Sequence, residues 1–316
     1  MTYVLLVISF VAIIYGANWF VDGAVAVARR LKVSDFVIGA VVVGIGTSLP
    51  ELVVSIKGAI DGNSSVSIGN VVGSNIFNVL AILSITAIAY PVIITRSNLR
   101  KDLPICLGLS VLLLLLTFNL FDGSQPTLAW YDGVVLLACF VAYMWMSLRD
   151  GKKEGAATPE ELADAKPTSL GKAIGLVLVG VVVLIVGCDT FVDQAIAIAK
   201  QLGVSDAFIS ITLIACGTSL PELAASVAAA LKKNTQLALG NIIGSNIFNI
   251  CLILGISSQV ITLDAPNITI VDYAVMVGAL VLTALLGLKG QISRWGGLAM
   301  FACFGCYMAD LISGQL

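Results

Sequence analysis

Two polar blocks interrupt otherwise apolar sequence in this chain, and each block occurs twice. Gly46-Thr47-Ser48-Leu49-Pro50-Glu51-Leu52 returns as Gly217-Thr218-Ser219-Leu220-Pro221-Glu222-Leu223, and Gly73-Ser74-Asn75-Ile76-Phe77-Asn78 returns as Gly244-Ser245-Asn246-Ile247-Phe248-Asn249. Phe20-Val21-Asp22 and Val33-Ser34-Asp35 recur as Phe191-Val192-Asp193 and Val204-Ser205-Asp206. Every pair is separated by the same 171 positions, without a gap, and roughly half the positions between Phe20 and Ile85 are identical in the second copy. Any fold open to this chain must therefore be built from two copies of one unit.

The solvent for that unit is lipid. Of the 316 residues, 59% are hydrophobic and 11% charged, whereas a soluble domain carries roughly 25% charged residues to cover its surface. A helix needs about 20 apolar residues to cross a bilayer. Apolar runs separated by short polar breaks place spans near 3–28, 35–60, 66–91, 102–119 and 128–148, then 171–200, 206–231, 236–261, 268–288 and 294–314. The expected fold is an all-α integral membrane protein of ten transmembrane helices. Residues 1–148 form the first five-helix repeat, 149–170 a cytoplasmic linker and 171–316 the second repeat. Five spans per copy is an odd number, so the second copy inserts upside down, which is the architecture of secondary transporters.

With the N-terminus outside, every basic residue of the 17 except Lys57 and Lys200 falls on the cytoplasmic side, a strong positive-inside bias. The run from Val4 has no basic region or small-residue cleavage site and is read as the first span, retained in a multi-pass protein of the cell (inner) membrane. The seven cysteines sit in apolar segments; Cys303 and Cys306, without a second ligand pair, read as small hydrophobes. No basic patch with interleaved aromatics points to nucleic acid, and no phosphate-binding loop points to ATP.

The chemistry lies at mid-membrane. Glu51 and Glu222 fall near the middles of the second and seventh spans, where a carboxylate costs a few kcal/mol or more. No Lys, Arg or His lies at comparable depth to pair with them, so the two acids call for a mobile cation. Pro50 and Pro221 break their helices, freeing carbonyls around Gly46-Thr47 and Gly217-Thr218. Thr47, Ser48 and Glu51 share a helix face, as do Ser74 with Asn78 and Ser245 with Asn249. Carboxylates, hydroxyls, amides and carbonyls are hard oxygen donors that suit calcium and sodium alike. Gly69/Gly73 and Gly240/Gly244 have the spacing of close helix contacts. Asp22 and Asp193 read as interfacial or capping charges, and Ser34-Asp35 and Ser205-Asp206 as helix N-caps. From the residues alone, a calcium/proton antiporter and a cation channel remain open beside a sodium-coupled antiporter. An intramembrane enzyme lacks its usual signatures: no His, and no Ser–Lys pair at depth.

At these blocks the sequence closely resembles the cation/calcium exchanger superfamily, in particular the prokaryotic sodium/calcium exchangers. The resemblance implies an antiporter without a cofactor, whose transported ions are calcium and sodium. It implies that Glu51 and Glu222 are shared ligands of both ions and that the carbonyls of Thr47 and Thr218 complete a calcium site. Ser48, Ser219, Ser74, Ser245 and the carbonyls of Gly44 and Ala215 would form flanking sodium sites, with the first and sixth helices sliding past a rigid core. Asn78 matches the family's first repeat. At Asn249 many of these exchangers have Asp, so this chain carries one carboxylate fewer at the centre.

Overall fold

The computed structural model describes residues 1–118, 126–154, 169–202, 215–265 and 268–313. The first half begins with α1 (Thr2–Leu31), followed by a broken span of α2 (Asp35–Ile38), a π-helical turn (Gly39–Val43), α3 (Gly44–Thr47) and α4 (Leu49–Ile60). The next span joins α5 (Ser64–Phe77) to α6 (Leu83–Ala89) through a π-helical turn at Asn78–Ile82. Strand β1 (Val92–Ile93), a π-helical turn (Asn98–Asp102), α7 (Leu103–Phe118), β2 (Thr127–Leu128) and α8 (Trp130–Glu154) complete this half. The second half repeats the order: α9 (Leu170–Gln201), α10 (Ala215–Gly217), α11 (Leu220–Leu231), α12 (Thr235–Phe248), a π-helical turn (Asn249–Ile253) and α13 (Leu254–Val260). Then come β3 (Leu263–Asp264), α14 (Ile270–Gly287), β4 (Gln291–Ile292) and α15 (Arg294–Ser313).

Among the described residues seven helices are long and apolar enough to cross a bilayer, and eight if α2–α4, bent by 48°, counts as one span. Of the other expected spans, the seventh is described from Ala215 onward, and the tenth corresponds to α15. Helix α8 continues to Glu154, several residues into the expected linker, whose remainder lies outside the described residues.

The two copies interlock. The α5–α6 and α12–α13 spans are the most buried, while α8 and the two longest helices, α1 and α9, are the least. Those two long helices pack on each other through glycines. A Cβ on Gly16 would meet the Leu184 backbone at 2.7 Å, and one on Gly180 the Phe20 backbone at 2.5 Å. At 30 and 32 residues, about 1.5 Å each, both exceed a bilayer's thickness and must tilt.

Glycine also sets the approach of α2 and its π-helical turn to α12. A Cβ on Gly240 would collide with the Phe36 carbonyl, and one on Gly244 with the Ala40 backbone. The expected close-packing role thus holds at Gly240 and Gly244. It does not extend to Gly69 and Gly73 among the described residues: the nearest atom to a Gly69 Cβ is Ile268 Cδ1 at 3.7 Å, and nothing lies within 4 Å of one on Gly73.

The all-α expectation needs a small amendment. Strand β1 pairs with β4 (Val92↔Ile292) and β2 with β3 (Leu128↔Leu263), both antiparallel. These two-residue ladders give the extended chain after each interrupted span partners for its backbone groups, and each joins the first half to the second. Ser34 caps α2 as expected, accepting from Val37 N at 3.4 Å; Ser205 and Asp206 lie outside the described residues. Asp22 does not cap a helix. It pairs with Lys232 Nζ at 2.7 Å, tying α1 to the residue that follows α11.

Candidate functional site

Both broken spans present a carboxylate at the same kind of place. Helix α3 ends at Thr47, Ser48 leaves helical geometry (φ −86°, ψ 11°), and α4 starts with Pro50 and Glu51 in its first turn. Ser219 (φ −90°, ψ 5°), Pro221 and Glu222 repeat this at α11. A proline in the first turn sacrifices no helical hydrogen bond. The positive end of each short helix then faces its own carboxylate. Glu51 and Glu222 are each only 1% exposed.

The serine of each copy serves the glutamate of the other. Ser48 Oγ donates to Glu222 Oε1 at 2.7 Å, and Ser219 Oγ to Glu51 Oε1 at 2.9 Å. Ser219 also lies 3.2 Å from Ser74 Oγ. A hydroxyl has one proton, so Ser219 gives its own to Glu51 and accepts from Ser74. Asn70 Nδ2 braces the Glu51 carbonyl (3.2 Å) and Ser55 Oγ (3.0 Å); Asn241 Nδ2 does the same for the Glu222 carbonyl (3.3 Å) and Ser226 Oγ (2.9 Å).

The spans carrying the second block add amides. Asn78 Nδ2 donates to Asn246 Oδ1 at 3.0 Å, and Asn249 Nδ2 to Asn75 Oδ1 at 3.1 Å, again one repeat to the other. Asn78 and Asn249 each open a π-helical turn, a feature that often marks functional positions. The turn at Asn78 packs against α11, and the turn at Asn249 against α4. Each amide therefore sits beside the helix carrying the opposite repeat's glutamate.

Eight buried side-chain oxygens have no hydrogen-bond partner among the described residues, and five of them belong to the two repeated blocks: Glu51 Oε2, Glu222 Oε2, Asn78 Oδ1, Asn249 Oδ1 and Thr218 Oγ1; the others are on Thr86, Tyr143 and Ser257. The two amide oxygens, and the carboxylate oxygens when ionised, can only accept, and an unpaired buried acceptor costs about 1–3 kcal/mol. No cluster of three or more His, Cys, Asp or Glu occurs among the described residues. A centre here would be two carboxylates eked out with neutral oxygens.

The two halves differ in detail. Thr47 Oγ1 lies 3.1 Å from the Val43 carbonyl and 3.2 Å from Asn241 Oδ1, and Ser245 Oγ donates to the Gly44 carbonyl at 3.4 Å. Neither of the last two contacts has its counterpart among the described residues: Thr218 Oγ1 makes no bond to Asn70, and Ser74 turns to Ser219 instead. Gly69, Asn70 and Gly73 are partly or fully exposed, whereas Gly240, Asn241 and Gly244 are buried under α2 and its π-helical turn.

Most of the residues expected from sequence take part in hydrogen bonds that run from one repeat to the other. Thr47, Ser48, Glu51, Ser74, Asn78, Ser219, Glu222, Ser245 and Asn249 form a connected or adjoining network with Gly44. Thr218 borders Ser219, its Oγ1 meeting the geometric criteria for a bond with none of the described residues, and Ala215 begins the short α10. Sequence reasoning missed Asn70, Asn241, Asn75 and Asn246. They carry the same signal as the rest, being polar residues duplicated at matching positions of apolar spans.

Comparison with known proteins gives the family of the chain. A solved structure of the sodium-calcium exchanger NCX_Mj, soaked with zero Na+ and Ca2+, superposes with a TM-score of 0.85 at 34% identity, covering 98% of both chains. The chain is 39% identical over 307 residues to an uncharacterized membrane protein of Methanocaldococcus jannaschii, covering 97% of each. It is 31% identical over 346 residues to the sodium/calcium exchanger MaX1 of Methanosarcina acetivorans, covering 98% of each. The family described as sodium/calcium exchanger protein matches residues 1–149 and 172–312, nearly the whole length, and this multi-pass membrane chain belongs to it.

Proposed function

We propose that the chain is a secondary antiporter exchanging sodium for calcium by alternating access. The observation that carries this reading is the set of donor-free buried oxygens on Glu51, Glu222, Asn78 and Asn249. Oxygens that only accept, at the meeting point of two repeats, are suited to a hard cation with six to eight oxygen ligands. Glu51 and Glu222 bind both ions, and the carbonyls of Thr47 and Thr218 complete the calcium shell. Ser48, Ser74, Ser219, Ser245, Gly44 and Ala215 supply the flanking sodium positions. Two carboxylates give the site a charge of −2, which one calcium or two sodium ions neutralise. Both ions need the same ligands, so binding of one excludes the other, and an unneutralised site does not cross the membrane. Exchange follows from that exclusion.

The architecture behind this reading is ten spans in two inverted repeats, with the N-terminus outside and the linker in the cytoplasm. The similarity to NCX_Mj over 98% of both chains supports it. Helices α1 and α9, among the least buried and in contact through glycines, are the elements free to slide on the remaining core.

Calcium-45 uptake into sodium-loaded proteoliposomes diluted into sodium-free buffer tests the proposal. Uptake is expected to require internal sodium. It should fall by roughly a hundredfold or more in Glu51→Gln and Glu222→Gln, since removing one of two buried charges unbalances the ion. Uptake driven by a pH gradient with no sodium would replace this reading with a proton exchanger, and flux needing no counter-ion with a channel.

A further inference from the structure

An asparagine side chain has two unlike ends, and only the oxygen end can bind a cation. Something must therefore fix which end of Asn249 and Asn78 is turned outward from its protein partner. Asn75 is fully buried, and its Nδ2 donates to the backbone carbonyl of Asn246 at 3.3 Å. A carbonyl can only accept, so the amino end of Asn75 is pinned there and its oxygen is presented on the other side. That oxygen accepts from Asn249 Nδ2 at 3.1 Å. The amino end of Asn249 is thereby committed in turn, leaving Oδ1 as its donor-free end. On the other repeat Asn246 Oδ1 takes Asn78 Nδ2 at 3.0 Å, again leaving Asn78 Oδ1 without a donor.

We infer that Asn75 and Asn246 are positioning residues that turn the oxygen ends of Asn249 and Asn78 toward the transported cation, and that Asn75 is the reason position 249 holds an amide. The inference rests on the cation site proposed above. An ionised carboxylate at 249 would bring a second acceptor against Asn75 Oδ1, with no hydrogen between them. Reversing Asn75 to supply that hydrogen would set its oxygen against the Asn246 carbonyl. Asn75 and Asn249 are thus one coupled choice, and an ionised acid at 249 requires a different residue at 75.

The experiment uses the full chain in proteoliposomes and in detergent, as wild type, Asn75→Ala, Asn249→Asp and the double variant. Two quantities are measured: the half-saturating calcium concentration for sodium-driven uptake, and the rise in melting temperature that calcium produces. Asn75→Ala is expected to raise the half-saturating calcium concentration by about tenfold, the worth of one well-placed hydrogen bond. It should shrink the calcium-induced melting shift while uptake at saturating calcium changes less. Asn249→Asp alone should lose affinity by at least as much, and the double variant should regain a substantial part of that loss. A purely structural role would lower the melting temperature with and without calcium alike and leave the half-saturating concentration in place, overturning the inference. So would a double variant whose loss is the product of the two single losses. Should Asn75→Ala not fold, Asn246→Ala makes the same prediction through Asn78. If the wild type moves no calcium in response to sodium, the exchange reading fails, while the calcium-induced melting shifts of the same variants still decide the role of Asn75.

Discussion

Asn70 and Asn241 show how a single polar side chain can keep a helix break from unravelling. Each ties the carbonyl of a site glutamate and the hydroxyl one turn further on to the neighbouring span. Replacing either by Leu would remove both bonds, at a cost of about 1–3 kcal/mol. Asn241 is fully buried and is also approached by Thr47, whereas Asn70 is partly exposed. Asn241→Leu should therefore lower the melting temperature of the purified protein more than Asn70→Leu; equal losses would show that burial does not set the difference. Neither these bonds nor their two asparagines were read from the sequence, although duplication at matching positions marks the residues. Depth and duplication singled out Glu51 and Glu222, since a carboxylate without a nearby cation is costly in lipid. Which hydroxyl or amide each would meet depends on how the two repeats cross, and periodicity along one chain carries no such information. The crosswise serines are the clearest case: spacing places Ser48 beside Glu51, but its hydrogen bond goes to Glu222.

Among the helices, glycine spacing and actual contact part company. The Gly-xxx-Gly pattern at 240 and 244 lets α2 and the turn after it lie on α12 with backbone against backbone, while the same pattern at 69 and 73 has no such neighbour among the described residues. Gly244→Ala should cost about 1–3 kcal/mol through overpacking, seen as a lower melting temperature. Gly73→Ala should be nearly neutral on that measure, and a comparable loss there would mean that α5 is packed as tightly as α12. The helix breaks were legible from Pro50 and Pro221, because a proline forbids the bond it interrupts. The π-helical turns at Asn78 and Asn249 were not, since nothing in residue type announces an extra residue in a turn. Nor were the strand ladders, whose two-residue length leaves no alternation to read.

At the level of the whole molecule, the duplicated halves make different bonds with the same residues. Thr47 reaches Asn241, but Thr218 does not reach Asn70; Ser245 holds the Gly44 carbonyl, but Ser74 holds Ser219. On the proposed mechanism a second arrangement exists in which these roles are exchanged. Thr47→Val removes a bond that only the observed arrangement makes, worth about 1 kcal/mol or a fivefold change in population. In a variant with the seven native cysteines replaced, a cysteine at the exposed Gly73 should react with a membrane-impermeant thiol reagent up to about fivefold more slowly when Thr47→Val is added. Thr218→Val should not slow it, and equal slowing by both would end the idea of exchanged roles. A machine whose two settings are drawn from one inventory of contacts has little energy difference between them, so it carries no ratchet of its own. On the proposed mechanism it runs backward as readily as forward, and the outcome is decided by the electrochemical gradients on either side.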